Sequence, residues 1–237
     1  MSHDTADTEL LRWLRAEMRA GRGEKLGAGY QAEVHHYHGP FGDVVVKSPH
    51  EEGSLLGLLG LLGSRAVRRE HSVYSRLTDV QGVPRLLGLL DDKHLVLEYV
   101  EGPSLRDYDA EIEDREHFFA ALLESIQAMH AAGVAHGDLK RKDNVVVSPD
   151  GRPHIIDFGI ARICEGEGRG GPLFELVKQM DYNAWAKLKY RRRMDSLSPE
   201  DAARYRPLLL ERVWRWVRIP WQVLTLRRPR KRWRARR

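Results

Sequence analysis

The chain has 237 residues, 42% of them hydrophobic and 31% charged, a balance that supports a packed core and excludes a collagen repeat, a disulfide-stapled scaffold and a wholly disordered chain. A single cysteine, Cys164, has no internal disulfide partner and points to a reducing, cytoplasmic setting. The net charge of +5 is local: residues 227–237 carry seven Arg, one Lys and no acid, and taking those eight from the 39 cations leaves 31 against 34 acids, a mildly acidic body with a basic tail rather than a basic nucleic-acid-binding domain.

Leu10, Leu11, Leu14 and Met18 recur at helical spacing and predict an amphipathic helix within residues 1–22. The polar start of the chain does not read as a signal peptide, and no apolar run reaches bilayer-spanning length. A glycine turn, Gly27-Ala28-Gly29, precedes a strand over 31–37, a turn over 39–42 and the β-branched strand Val44-Val45-Val46. Residues 51–63 form a Leu/Gly insert too rich in glycine for a stable helix, and a helix is predicted from 64 to 77. Two strands, 83–90 and 94–99, flank the Asp91-Asp92 turn.

The second half is mainly helical. Phe119, Leu122, Leu123, Ile126 and Met129 predict a helix over 114–132, closed by Gly133. A loop over 136–143 leads into a hairpin, Val145-Val146-Val147 and His154-Ile155-Ile156, with helices expected over 172–194 and from 198 onward. The class is α+β: a strand-rich lobe over 23–100, a shortened helical lobe over 101–226, joined near residues 98–102, and the basic tail 227–237.

The chemistry lies in short motifs whose order matters. The stretch from Gly27 through Gly29 to Val34 offers backbone N–H groups to a polyphosphate. Lys47 ends a strand and carries positive charge, and Glu70 on the following helix is placed to pair with it. Taken singly, the glycines fit a hairpin turn, Lys47 a solvated strand end and Glu70 a surface carboxylate. His136-Gly137-Asp138-Leu139-Lys140 occupies the loop, Asn144 directly precedes a strand, and Asp157-Phe158-Gly159 closes the hairpin. Phosphoryl transfer from ATP needs a base for the acceptor hydroxyl and oxygen ligands for Mg²⁺. Asp138, Asn144 and Asp157 supply those groups in that order.

Over residues 26–162 these motifs make the chain resemble the protein-kinase-like superfamily. The resemblance implies a two-lobed fold that binds ATP and Mg²⁺, with Lys47 and Glu70 paired, Asp138 as catalytic base and Lys140 stabilising the transferring phosphate. It further implies Asp157 as the main metal ligand, Leu97 as gatekeeper and Glu98 to Val100 as the adenine-binding hinge. The family places its metal-binding Asn five residues after the catalytic Asp. Here that position is Asp143, also able to bind Mg²⁺; Asn144 is preferred because it directly precedes the strand.

Ala32 replaces the third loop glycine, and Gly137 replaces an arginine that would pair with a phosphorylated activation loop, so control of that kind is not expected. Ser198-Pro199-Glu200 is read as an ordinary helix start, and the helix bearing Asp181 is expected beneath the catalytic loop.

His-Gly-Asp and a short second half look most like small atypical bacterial kinases, the RIO-type and lipopolysaccharide (Kdo/heptose) groups. Asp138-Leu139-Lys140 favours a protein serine/threonine hydroxyl as acceptor. The alternatives are a sugar hydroxyl of lipopolysaccharide at the inner membrane surface and a pseudokinase that binds partners. Four of the six Trp follow Val213, beside the basic tail, a composition suited to peripheral contact with an anionic membrane, with nucleic acid as the lesser alternative. His35, His36 and His38 read as an exposed strand end rather than a metal site. The acids at 109, 111, 113 and 114 read as a solvated face, and Cys164 as structural.

Overall fold

The structure, a computed structural model, describes residues 3–28, 32–49, 60–164 and 171–207. Gly29, most of the Leu/Gly insert, the aromatic segment after residue 207 and the basic tail lie outside the described residues.

Alternation along extended strands sorts the first half into faces. Helix α1 (His3–Arg19) is followed by β1 (Glu24–Ala28), β2 (Ala32–Tyr37) and β3 (Val44–Pro49), then α2 (Gly60–Arg76), β4 (Leu86–Leu90) and β5 (His94–Glu98). The strands form one sheet in the order β1-β2-β3-β5-β4, every neighbouring pair antiparallel. Val44, Val46 and Val96 point to one face and pack with Leu10 and Leu14 of α1. Leu95 and Leu97 point to the other and pack with Val67, Val73, Tyr74 and Leu77 of α2. The two helices therefore cover opposite faces of the sheet.

Helix α2 begins at Gly60, four residues before the sequence predicts, and takes in Gly60 and Gly63. A glycine costs a helix about 1 kcal/mol, which the buried stripe from Val67 to Leu77 outweighs.

The second half contains α3 (Leu105–Tyr108), α4 (Arg115–Ala131), β6 (Val134–Ala135), β7 (Val145–Val147), β8 (Pro153–Ile155), β9 (Arg162–Ile163), α5 (Pro172–Lys189) and α6 (Pro199–Arg204). Asp114 caps α4, its carboxylate accepting from the His117 N–H at 2.9 Å, and Gly133 closes it with φ +76°. The β7–β8 hairpin forms as expected. The β6–β9 pair was not legible, because two-residue strands are too short to display a period. Trp185 of α5 is buried and donates its indole N–H to the Phe119 carbonyl of α4 at 2.7 Å, which locks the two helices together. Ser198 caps α6 by accepting from the Asp201 N–H at 3.2 Å, with Pro199 at the first helical position, so Ser198-Pro199-Glu200 is a helix start.

Asp109 is not part of a solvated acidic face: its carboxylate meets Arg115 at 2.8 Å, Lys142 at 3.0 Å and Arg191 at 3.2 Å, and the site is largely buried. These cations come from three separate segments, which only folding gathers. Glu111, Glu113 and Asp114 remain exposed.

The two halves meet behind β5. Gly102 has φ +135°, and a Cβ there would lie 1.9 Å from the Val147 carbonyl oxygen. The next residue, Pro103, accepts from the Val147 N–H at 2.9 Å. Only glycine fits, because both the backbone angle and the space exclude a side chain. Gly102→Ala should lower unfolding stability by about 2–4 kcal/mol in urea denaturation, a large loss for a single methyl group.

Candidate active site

Because Val44 and Val46 face α1, Val45 and Lys47 face α2 and the second half of the chain. Val34 lies directly opposite Lys47 on β2 and so shares that face, and Gly27 of β1 lies opposite Val34. The Lys47 ammonium donates to Glu70 Oε1 at 2.6 Å and to Asp157 Oδ1 at 3.1 Å. Its side chain is 11% exposed. Burial alone would favour the neutral amine, but the Glu70 and Asp157 carboxylates outweigh it and hold the pKa above the ordinary lysine range. Burial likewise opposes the Asp157 carboxylate, and Lys47 overcomes it, holding Asp157 below the usual carboxylate range.

Asp157 is 49% exposed and sits at φ +67°, a left-handed backbone that Asp tolerates better than most residues. The flanking chain pins it there. The Ile156 carbonyl accepts from His136 Nε2 at 3.0 Å, and the Ile156 N–H donates to the Asn144 carbonyl at 2.9 Å. Phe158 is buried, with Tyr74 of α2 edge-on at 5.1 Å on one side and the His136 ring at 4.8 Å on the other. This stack carries the position of α2 to the loop that bears Asp138. Arg69 of α2 adds a second tie by donating to the Ala161 carbonyl, and Arg76 a third to that of Cys164 at 3.3 Å.

The Asp138 loop hangs from one buried carboxylate. Asp181 of α5 accepts from the His136 N–H at 2.7 Å, the Gly137 N–H at 2.8 Å and His130 Nε2 at 3.0 Å. Helix α5 therefore does pack beneath the loop. His136 donates through Nε2, and its Nδ1 accepts from the Asp138 N–H at 3.2 Å, which fixes one neutral tautomer. Gly137 has φ +79°, and a Cβ would meet Val177 at 3.3 Å. Asp138 itself points toward Lys140, whose Nζ is 3.5 Å away, and Arg141, at 3.9 Å.

Adjacent Asp143 and Asn144 have different surroundings. Asp143 is bound in a two-pronged pair by Arg106, one contact being 2.6 Å, and that guanidinium holds its carboxyl below the ordinary range. Asn144 is buried, and its amide nitrogen donates to the Asp138 carbonyl at 3.2 Å, which leaves the side-chain oxygen as the acceptor end. Nothing in the sequence signals the Arg106 pair, whose partners are 37 residues apart.

At the hinge, Leu97 is buried in the core shared with α2. Glu98 directs its carboxylate to the Arg85 N–H at 3.1 Å and the Arg85 side chain at 3.3 Å, rather than into the cleft. The Tyr99 N–H donates to the Asp43 carbonyl at 3.1 Å, and Val100 is partly buried. His36 is buried, not exposed as the sequence suggested, because its ring stacks on Tyr99 at 3.9 Å. Cys164 packs beside Ala135, Phe174 and Val177.

An antiparallel sheet and a helical half, bridged by one lysine between two carboxylates and backed by a loop bearing an aspartate, define a two-part α+β protein with a polar cleft. Residues 22–195 match the protein kinase domain family, and the chain belongs to it. It is 30% identical to CBL-interacting protein kinase 25 of Oryza sativa subsp. japonica over 150 residues, 53% of this chain and 29% of that protein. It is 34% identical to serine/threonine-protein kinase PkaA of Streptomyces coelicolor over 110 residues, 42% of this chain and 20% of that one. Serine/threonine-protein kinase cds1 of Schizosaccharomyces pombe is 34% identical over 83 residues, 33% of this chain and 18% of the relative. The chain thus spans less than a third of the length of these relatives.

Removing the Asp181 carboxylate strands two loop N–H groups and a buried imidazole. Asp181→Ala should cost about 3 kcal/mol or more in urea denaturation. Asp181→Asn, which keeps one acceptor oxygen, should cost less.

Proposed function

We propose that the chain is an ATP-dependent phosphotransferase that moves the γ-phosphate to a serine or threonine hydroxyl of a protein. The observation that carries this reading is the Lys47 ammonium held by Glu70 and Asp157, with His136 of the Asp138 loop bonded to the Ile156 carbonyl beside Asp157. A permanently charged, fixed ammonium binds phosphate oxygens. Val34 and Gly27, on the Lys47 face of the sheet, are assigned to the nucleotide, and Gly29 is assigned with them on the sequence motif alone. Backbone groups of Glu98 and Val100 are assigned to the adenine, since the Tyr99 N–H already serves Asp43.

Asp157 and Asn144 are assigned to Mg²⁺. Their donor chemistry fits: both present oxygen, the ligand a hard cation takes, Asp157 is held ionised and half-exposed, and Asn144 is anchored through its nitrogen. Mg²⁺, when bound, neutralises charge on the phosphates. The chain's own part is to position and to move one proton. Asp138 accepts the proton of the acceptor hydroxyl as that oxygen attacks. Lys140 and Arg141, flanking Asp138, offset the negative charge gathered there.

The Lys47–Glu70 pair is formed in the unmodified chain. With Gly137 in place of an arginine, this supports a site that needs no phosphorylated loop. The intact Lys47, Asp138 and Asp157 weigh against a pseudokinase. A protein acceptor is favoured over a lipopolysaccharide sugar because the relatives PkaA and cds1 are serine/threonine-protein kinases by name. The tail that suggested a membrane surface lies outside the described residues.

With γ-labelled ATP, lysate protein should take up label and lipopolysaccharide should not; the reverse result assigns a sugar acceptor. Asp138→Asn should keep nucleotide binding and lose about 10²–10⁴-fold in turnover. In activity titrated against Mg²⁺ concentration, Asn144→Ala should raise the requirement strongly and Asp143→Ala only weakly. The opposite order moves the ligand to Asp143.

A further inference from the structure

One cluster of metal-binding side chains stands apart from Lys47, Asp138 and Asp157. His36 lies on β2 and His38 directly follows the strand, and their rings approach to 4.1 Å at the hairpin end of the sheet. Glu24 of β1 lies directly opposite His36. Tyr37 pairs with Val44, which brings His38 across the hairpin from Asp43. Glu24, His36 and His38 thus converge on one spot, with Asp43 bonded to both imidazoles, a convergence that the spacing along the chain does not reveal.

The distances suit a cation. Glu24, His36 and His38 each bring one ligand atom to within 4.8 Å of the others. Asp43 Oδ2 lies 3.2 Å from His36 Nε2 and 3.0 Å from His38 Nδ1. Four ligands at about 2.0–2.1 Å around a tetrahedral ion are about 3.3 Å from one another. The Asp43–imidazole spacings already approach that edge, and rotation of the exposed Glu24 side chain, whose oxygen lies within 4.8 Å of both imidazoles, completes the shell. Two imidazoles and two carboxylates form a donor set of borderline softness, which suits Zn²⁺ over Mg²⁺ or Ca²⁺. The inner wall is fixed, because His36 is buried and stacked on Tyr99. The outer wall is open, His38 being 68% and Asp43 41% exposed, which provides an entry path.

We propose that Glu24, His36, His38 and Asp43 form a Zn²⁺ site that clasps the hairpin end of the sheet to the hinge. The clasp reaches the hinge by two routes: the His36 ring lies on Tyr99, and the Asp43 carbonyl accepts the Tyr99 N–H at 3.1 Å. The site also lies on the Val34 face of β2, two residues further along.

Co²⁺, which mimics Zn²⁺ and absorbs visibly in a four-coordinate site, is titrated into the full chain without nucleotide or Mg²⁺. One equivalent should bind with intense visible bands, Zn²⁺ should displace it, and Zn²⁺ should raise the Tm. His38→Ala and Asp43→Asn alter exposed side chains and should leave the fold intact while lowering affinity at least tenfold, since even groups that merely orient a ligand are worth about 10–100-fold. Asp157→Asn, in the catalytic cleft, should leave Co²⁺ binding unchanged. The proposal is overturned if no four-coordinate band appears, if His38→Ala and Asp43→Asn bind as the parent does, or if Asp157→Asn abolishes binding. None of these readouts depends on phosphoryl transfer.

Discussion

A lysine ammonium out of water is the constraint on which the arrangement depends. Removing an ion from solvent costs several kcal/mol unless opposite charge meets it at close range. Lys47 is met twice, by Glu70 and Asp157, and the two carboxylates come from opposite halves of the chain. The pairing therefore holds β3, α2 and the Asp157 turn in one relation. Strand alternation sends Lys47 to the α2 face, because Val44 and Val46 are committed to α1. Helical periodicity then puts Tyr74 one turn beyond Glu70, where it meets Phe158. A single electrostatic requirement thus becomes a packing requirement.

A second buried charge organises the other wall of the cleft. Asp181 takes three donors and suspends the Asp138 loop from α5. Helix α5 starts at Pro172, soon after the Asp157 turn, so the anchor follows closely along the chain. The loop is stiff for definable reasons: His136 is bonded at both ring nitrogens, and Gly137 has little room for a side chain. Rigid support of this kind suits the role proposed for Asp138, since much of the rate advantage of a preorganised site lies in avoiding reorganisation. The proposed zinc clasp extends the same logic to the hinge, where Tyr99 is held from its ring and from its backbone.

Membership of the protein kinase domain family rests on residues 22–195 as a whole, whereas the assigned roles rest on individual side chains. The narrower resemblance to RIO-type and lipopolysaccharide kinases is read from the sequence, and neither the family match nor the relatives reach that far.

What was legible in the sequence is what is local along the chain. The ordered motifs around Lys47, Asp138 and Asp157, the Ser198 cap, the Gly133 stop and the β7–β8 hairpin all arise from neighbours a few residues apart. Periodicity and capping report such relations directly. Tertiary structure alone decided which polar side chains are committed to partners. It tied Asp143 to Arg106, made Asp109 the centre of three cations rather than a solvated acid, and buried His36 on Tyr99. It also started α2 at Gly60, where the packing of Val67 and Val73 against the sheet outweighs glycine's reluctance. The reason is common to all four: burial and ion pairing depend on contacts between residues far apart in sequence, and no local pattern records which of them the fold will bring together.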